Sequence, residues 1–216
     1  MKKVIFISLL AITSVYASAQ SKVRLNLLSS YVFDDGFDAY SDVNTYFDGT
    51  VKGGVQWGGA IEFTPSDYYS VELTYLNKNS TVPSSFKGGL GQPERHEDYD
   101  VTLNYILLGG NGLRKASSGK VEGFGGLMGG VLITDVKVPS EGTSGSHTNF
   151  AWGAKLGANI WASERIGIKL QTQLLVSSRA TGGDVFYGYW GPVYLNTYTT
   201  LLQFGLGGGL TFKIGK

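Results

Sequence analysis

The chain contains no cysteine, only two histidines and five prolines among 216 residues, and charged side chains make up just 16% of it. Without cysteine there is no disulfide framework, no thiolate chemistry and no acylated residue of the kind that anchors a lipoprotein. Charge of one sign is lacking too. The formal net charge is +1 and includes Lys2 and Lys3, so a chain shorn of those two lysines stands at 1 − 2 = −1. No basic face of the sort nucleic acid requires is present, and nucleic acid is excluded as a partner. After the first residues no stretch approaches the length of a membrane-spanning helix. What is abundant is glycine, 32 residues or roughly twice the usual share, and aromatics, with 11 Phe, 4 Trp and 13 Tyr.

The first residues carry an export signal. Lys2 and Lys3 form a positive n-region, Val4 to Val15 an apolar core, and Ala17-Ser18-Ala19 a small-residue cleavage site. The apolar core is too short to span a bilayer, which takes about 20 residues. Residues 1–19 are therefore expected to be a signal peptide, and residues 20–216 a single domain with Gln20 at its start.

Hydrophobic periodicity in that domain is two. From Ile166 to Ser178 one parity reads Ile166, Ile168, Leu170, Thr172, Leu174, Val176, and the other Gly167, Lys169, Gln171, Gln173. That is a strand with one apolar and one mostly polar face. The same split predicts strands over 22–33, 51–64, 69–78, 98–109, 121–138, 148–162, 166–178 and 198–214. In the fourth, Tyr99, Val101, Leu103, Tyr105 and Leu107 form the apolar parity, opposite Asp100, Thr102 and Asn104. The fifth is blurred by glycines. Connections between these strands alternate: 34–50, 79–97, 139–147 and 179–197 are longer, while 65–68, 110–120 and 163–165 are shorter. This rhythm belongs to an up-and-down transmembrane β-barrel with short periplasmic turns and longer outer loops, both termini periplasmic. The expected fold is all-β, an eight-stranded antiparallel barrel.

Aromatics on the apolar parity sort to the strand ends. Tyr31, Phe33, Tyr99, Phe150, Trp152 and Tyr198 fall at the outer ends, and Phe63, Tyr69, Phe124 and Phe212 at the periplasmic ends. Two aromatic girdles mark the two interfaces of a bilayer. A charge facing lipid at mid-membrane costs about 2–4 kcal/mol, so the polar parity is assigned to the lumen. A soluble barrel would need charges on its outer face, and the apolar parity is nearly uncharged.

By these features the chain resembles the small outer-membrane β-barrel proteins of the OmpA-barrel, OmpX and OmpW type. Its last strand ends Gly209-Leu210-Thr211-Phe212-Lys213-Ile214, similar to their C-terminal insertion signal, with Gly215 and Lys216 as an extension beyond it. The Ala17-Ser18-Ala19-Gln20 junction resembles that of barrel proteins from the Bacteroidetes group. The resemblance implies outer-membrane lipid and the outer-membrane insertion machinery as partners, and an extracellular or envelope protein as a further one. It implies no activity.

Candidate functional residues follow from the assigned faces. Arg24, Lys52, Glu62, Glu72, Asp100, Lys155, Lys169 and Lys213 are expected to line the lumen, either as a charged pore or as a paired plug. An eight-stranded barrel is only wide enough for side chains to fill it, which favours the plug. Gly54, Gly58, Gly153, Gly157, Gly205, Gly207 and Gly209 share that inner parity, leaving a channel or making room for long neighbours. His96 and His147 lie in expected loops, and Ser146-His147 lacks the spacing of deacylases on this fold. Catalysis needs a nucleophile, a base and an orienting partner, so no enzymatic role is expected. Asp34, Asp35, Asp38, Asp42 and Asp48 match no calcium loop, and neither a metal nor a cofactor is expected. Phe186, Tyr187, Tyr189, Trp190 and Tyr194 give the last loop an aromatic patch suited to surface contact. The function expected is a structural or surface-interaction barrel. A narrow channel for small or apolar solutes, or a component of an envelope assembly or secretion machine, are the alternatives.

Overall fold

A computed structural model of the chain describes residues 22–42, 45–88, 93, 95–138, 143–178, 185–188, 191–194 and 200–214. The signal-peptide reading lies outside them. No helix is long and apolar enough to cross a membrane, and every regular element among the described residues is a strand. In chain order these are β1 (Lys22–Val32), β2 (Asp35–Asp42), β3 (Thr45–Val51), β4 (Gly54–Thr64), β5 (Tyr69–Gly88), β6 (Arg95–Lys115), β7 (Val121–Val138), β8 (Thr143–Trp161), β9 (Ile166–Ser178), β10 (Val185–Gly188), β11 (Gly191–Tyr194) and β12 (Thr200–Ile214).

Eight of them close into a barrel in the order β1-β4-β5-β6-β7-β8-β9-β12, with β12 pairing back to β1. All of these pairings are antiparallel. The register fixes the geometry. Val23 faces Phe63, and the line runs on through Val71, Gly110, Leu127, Ala154 and Leu174 to Phe204. The Phe204 carbonyl accepts the Phe33 N–H at 3.0 Å, so one circuit ends 33 − 23 = 10 residues farther along the first strand. At ~3.3 Å per residue and ~4.8 Å between strands, that shear tilts the strands by about 41° and raises the chain about 2.5 Å per residue along the axis.

The eight expected strands are all present, but several expected loops are strand. β5 runs 20 residues and β6 21, absorbing most of the expected 79–97 connection and half of 110–120. The expected first loop folds into the β2–β3 hairpin, whose β3 pairs with the far end of β5. β10 and β11 form a two-stranded sheet inside the last loop. The β6–β7 turn closes through Gly119, whose N–H reaches Ala116 O at 2.9 Å and whose φ of 67° lies in the left-handed region.

Outside, exposed apolar side chains ring the barrel. They include Leu27 and Val55 on β1 and β4, Leu156 and Leu170 on β8 and β9 across the ring, each half-exposed or more, and Leu206 on β12 beside β1, close to half-exposed. In water such a band would be costly, and it identifies the surface as lipid-facing. Inside, two layers stack. Toward the short turns the lumen is charged and polar. Toward the long loops it is mostly apolar, with Leu28, Leu76, Leu103, Leu107, Met128, Leu132 and Leu175 buried there around a few polar groups, Gln56, Lys78 and Gln203 among them.

That apolar layer corrects the face assigned to the fourth strand. In β6, Val101, Leu103, Tyr105 and Leu107 point inward and are at most 8% exposed, while Ile106 and Leu108 face out. Thr102 and Asn104 lie half-buried on the outer face, hydrogen-bonded to Asn79 and to Tyr75, Asn77 and Asp135. The polar parity of β6 points outward because it lies where the wall rises past the apolar band.

Candidate functional site

The charged layer is built by alternation on successive strands. β1 turns Arg24 inward, β4 Glu62, β5 Glu72, β7 Glu122, β8 Lys155 and β9 Lys169, all no more than 6% exposed. Three cations meet three carboxylates. Arg24 forks onto Glu122, Nη1 donating to Oε1 at 2.5 Å and Nη2 to Oε2 at 3.1 Å. Its Nη1 also stands 3.7 Å from Glu62. Lys155 Nζ donates to Glu72 Oε1 at 2.5 Å. Lys169 Nζ bridges the other two carboxylates, 3.8 Å from Glu62 and 3.6 Å from Glu72.

Neutral donors fill the remaining lone pairs. Ser70 and Asn26 donate to Glu62 at 2.6 and 3.3 Å, Thr74 to Glu72 at 2.8 Å, and Asn159 to Glu122 at 3.0 Å. Two aromatic rings cap the cations. Lys169 Nζ sits 4.2 Å from the centroid of Phe124, and Trp161 lies between Arg24 at 5.2 Å and Lys213 at 3.5 Å.

Topology gives these contacts their meaning. Around the ring β1 stands opposite β7, and β9 opposite β5. The Arg24–Glu122 and Lys169–Glu72 pairs therefore cross the full bore. Higher up, Tyr105 donates to Gln203 Oε1 at 2.9 Å, again between opposite strands. Gln173 Nε2 reaches Gln56 Oε1 at 2.5 Å. The inner glycines make room for the facing backbone, the Leu170 carbonyl at Gly157 and the Leu174 carbonyl at Gly153, and for side chains beside it. A Cβ on Gly157 would come within 2.5 Å of the Phe124 ring, and one on Gly153 within 2.9 Å of Leu175.

Of the expected lumen residues, Arg24, Glu62, Glu72, Lys155 and Lys169 come together in this layer, with Lys213 half-buried at its short-turn edge. Lys52 and Asp100 do not. β4 begins at Gly54, so Lys52 lies in a junction, 51% exposed and 3.5 Å from Asp34. Asp100 sits on the outward parity of β6, exposed beyond the apolar band. The two nonetheless share a polar outer cleft of about 530 Å³ with Asn79, Thr102 and Lys137. Glu122 is not legible in the sequence, because Gly123, Gly125 and Gly126 blur the parity of its strand, and Asn159 is an ordinary polar residue on an inner parity.

The girdles hold in part. Tyr31, Phe33, Phe150 and Trp152 are exposed toward the long loops and Tyr69 toward the short turns, with Phe63 and Phe212 half-buried on the same outer face. Trp57, Tyr75 and Phe204 join the upper ring: Phe204 stacks on Phe33 at 5.7 Å and Trp57 meets Tyr75 edge-on at 6.4 Å. Two members move inside. Tyr99 follows the inward parity of β6 and packs on the apolar core. Phe124 is 3% exposed in the lumen, because Glu122 sets the inward parity of β7. Tyr198, Tyr189 and Trp190 lie outside the described residues. The backbones of Phe186, Tyr187 and Tyr194 form the β10–β11 hairpin.

Above the band, Ser85 Oγ and His96 Nδ1 are 2.9 Å apart as exposed cross-strand neighbours. The Gly53 N–H donates to Asp34 Oδ1 at 2.7 Å and holds that carboxyl below its ordinary range. Burial raises the Asp35 carboxyl, which accepts the Leu202 N–H at 2.7 Å. Among the described residues no three acidic or imidazole groups cluster to hold a metal.

No protein-family model matches the chain, and no curated protein matches its sequence. Solved structures do match. Neisserial surface protein A aligns over 89% of this chain and 97% of its own, with a TM-score of 0.58 at 9% identity. The outer membrane protein OprG from Pseudomonas aeruginosa aligns over 91% and 97%, with a TM-score of 0.58 at 14% identity. The outer membrane protease OmpT from Escherichia coli aligns over 89% and 97%, with a TM-score of 0.54 at 8% identity. At these identities the likeness concerns the fold: this chain has the closed antiparallel barrel of the outer-membrane β-barrel proteins.

Proposed function

We propose that the chain is a closed outer-membrane barrel that acts, without catalysis, through the wall it raises beyond the bilayer. The observation that carries this reading is the set of ion pairs between opposite strands, Arg24 to Glu122 and Lys169 to Glu72. Fixed charges joined across the bore leave no continuous water path. The apolar layer above them would suit an apolar solute, but its side chains are 0–8% exposed and pack on one another.

The wall supplies the working surface. At about 2.5 Å per residue along the axis, the 20 residues of β5 climb about 50 Å. The apolar band needs only about 25 Å of that. Its surplus carries the polar cleft of Lys52, Asp100 and Lys137, a surface for an extracellular or envelope protein. The chain would be exported by its leader, leaving lipid around the band and both termini on the periplasmic side, where the short turns lie. Conductance of the refolded barrel in a planar bilayer tests the closed lumen. Silence is expected, and steady discrete openings would overturn the reading.

A further inference from the structure

Among the described residues the fully buried charges of the short-turn layer balance, and one buried lysine stands apart from them. Arg24, Lys155 and Lys169 answer Glu62, Glu72 and Glu122, three against three. Lys78, turned inward from β5 above that layer, is 0% exposed, and its Nζ has no hydrogen-bond partner among the described residues. An uncompensated buried ammonium is among the costliest groups a fold can hold. The nearby carboxylates are engaged elsewhere: Asp34 binds Gly53 N–H and Lys52, and Asp35 binds Leu202 N–H. They attract Lys78 only from beyond hydrogen-bond reach.

Two more groups at this height share the deficit. Gln56 is the cross-strand partner of Lys78, and its Nε2 is buried without an acceptor. Gln203 spends its oxygen on Tyr105 and also leaves Nε2 unanswered. All three unmatched groups are N–H donors, and one is charged. Water would leave the net charge uncompensated, whereas an anion answers both the charge and the donors. Leu76, Leu103, Tyr105 and Leu175, buried at the same level, are at most 2% exposed, so only a small occupant is compatible with the site.

We propose that Lys78, Gln56 and Gln203 form a binding site for a small monovalent anion, halide or carboxylate, in the long-loop half of the lumen. The site is independent of what the outer wall contacts. The test refolds the full barrel in detergent at constant ionic strength, in sodium bromide, sodium formate or sodium gluconate, whose anion is too large to enter. Linkage predicts a melting temperature that rises with the logarithm of the small anion's concentration once the site is near saturation. Bromide and formate, compared separately, tell a halide site from a carboxylate site. Lys78→Met removes the charge at similar volume, and Gln56→Glu supplies a built-in carboxylate beside Lys78. Both should flatten the bromide and formate dependence, and Gln56→Glu should melt higher than the parent in gluconate. Equal melting in all three salts, or an unchanged dependence in Lys78→Met, would overturn the site. A crystal grown in bromide gives the direct readout, anomalous density beside Lys78 Nζ.

Discussion

Glu72 offers the sharpest perturbation of the plug. It accepts Lys155 at 2.5 Å and Thr74 at 2.8 Å, and it faces Lys169 at 3.6 Å. Glu72→Gln keeps the shape and removes the charge, leaving two carboxylates against three cations in a layer no more than 6% exposed. Removing one partner of a buried pair costs about 3–5 kcal/mol, because the other charge stays buried without compensation. That corresponds to roughly two to three and a half decades in the folding equilibrium, at about 1.4 kcal/mol per decade. Lys155→Met should cost a similar amount by the opposite imbalance. The double variant restores two against two, so its loss should fall short of the sum by about 2 kcal/mol or more. Urea unfolding of the refolded barrel in lipid vesicles, followed by tryptophan fluorescence, measures all four corners of the cycle. If the losses simply add, the two residues are not coupled and the plug is not an ionic network.

The orientation of β6 is tested by a neighbouring pair. Leu103→Asn puts an amide into the apolar layer and should cost about 3–5 kcal/mol, whereas Asn104→Leu loses outer-face hydrogen bonds and should cost about 1–2 kcal/mol; the reverse order in urea unfolding would place Asn104 in the lumen. Gly157→Ala drives a Cβ toward the Leu170 carbonyl and to 2.5 Å from the Phe124 ring. Overpacking of this kind costs about 1–3 kcal/mol. Phe124→Leu in that background should recover part of the loss in thermal melting, and no recovery would mean that the ring does not fill the space.

Most of the architecture was legible because a closed barrel makes one demand everywhere: side chains alternate between lipid and lumen. Residues 166–178 satisfy it almost letter by letter, and their boundaries match β9. The loops were less legible. Nothing in the period of residues 79–88 says whether a strand continues above the membrane, since polar side chains on both faces read the same as a loop. Only pairing decides, as Ser84 with Glu97 and Ser85 with His96 show. The charged layer was readable for a related reason. Lys, Arg and Glu on an otherwise apolar strand have no tolerable place but the lumen, and five of the eight residues so chosen meet there.

The errors on β6 share one cause. Parity tells that a strand has two different faces, but which face is polar depends on height along the axis. Below the rim, lipid lies outside, so the apolar face turns out and the lumen takes the charges. Above it, water lies outside and the packed apolar layer inside, so the assignment reverses. β6 crosses that boundary without a break in its alternation: Leu108 faces lipid, whereas Val101 faces the core and Asp100 the solvent. On β6 the alternation carries the period and not the direction, so Asp100 and Tyr99 exchange faces together. Height along the barrel axis is set by the register between strands, and periodicity within one strand does not contain it.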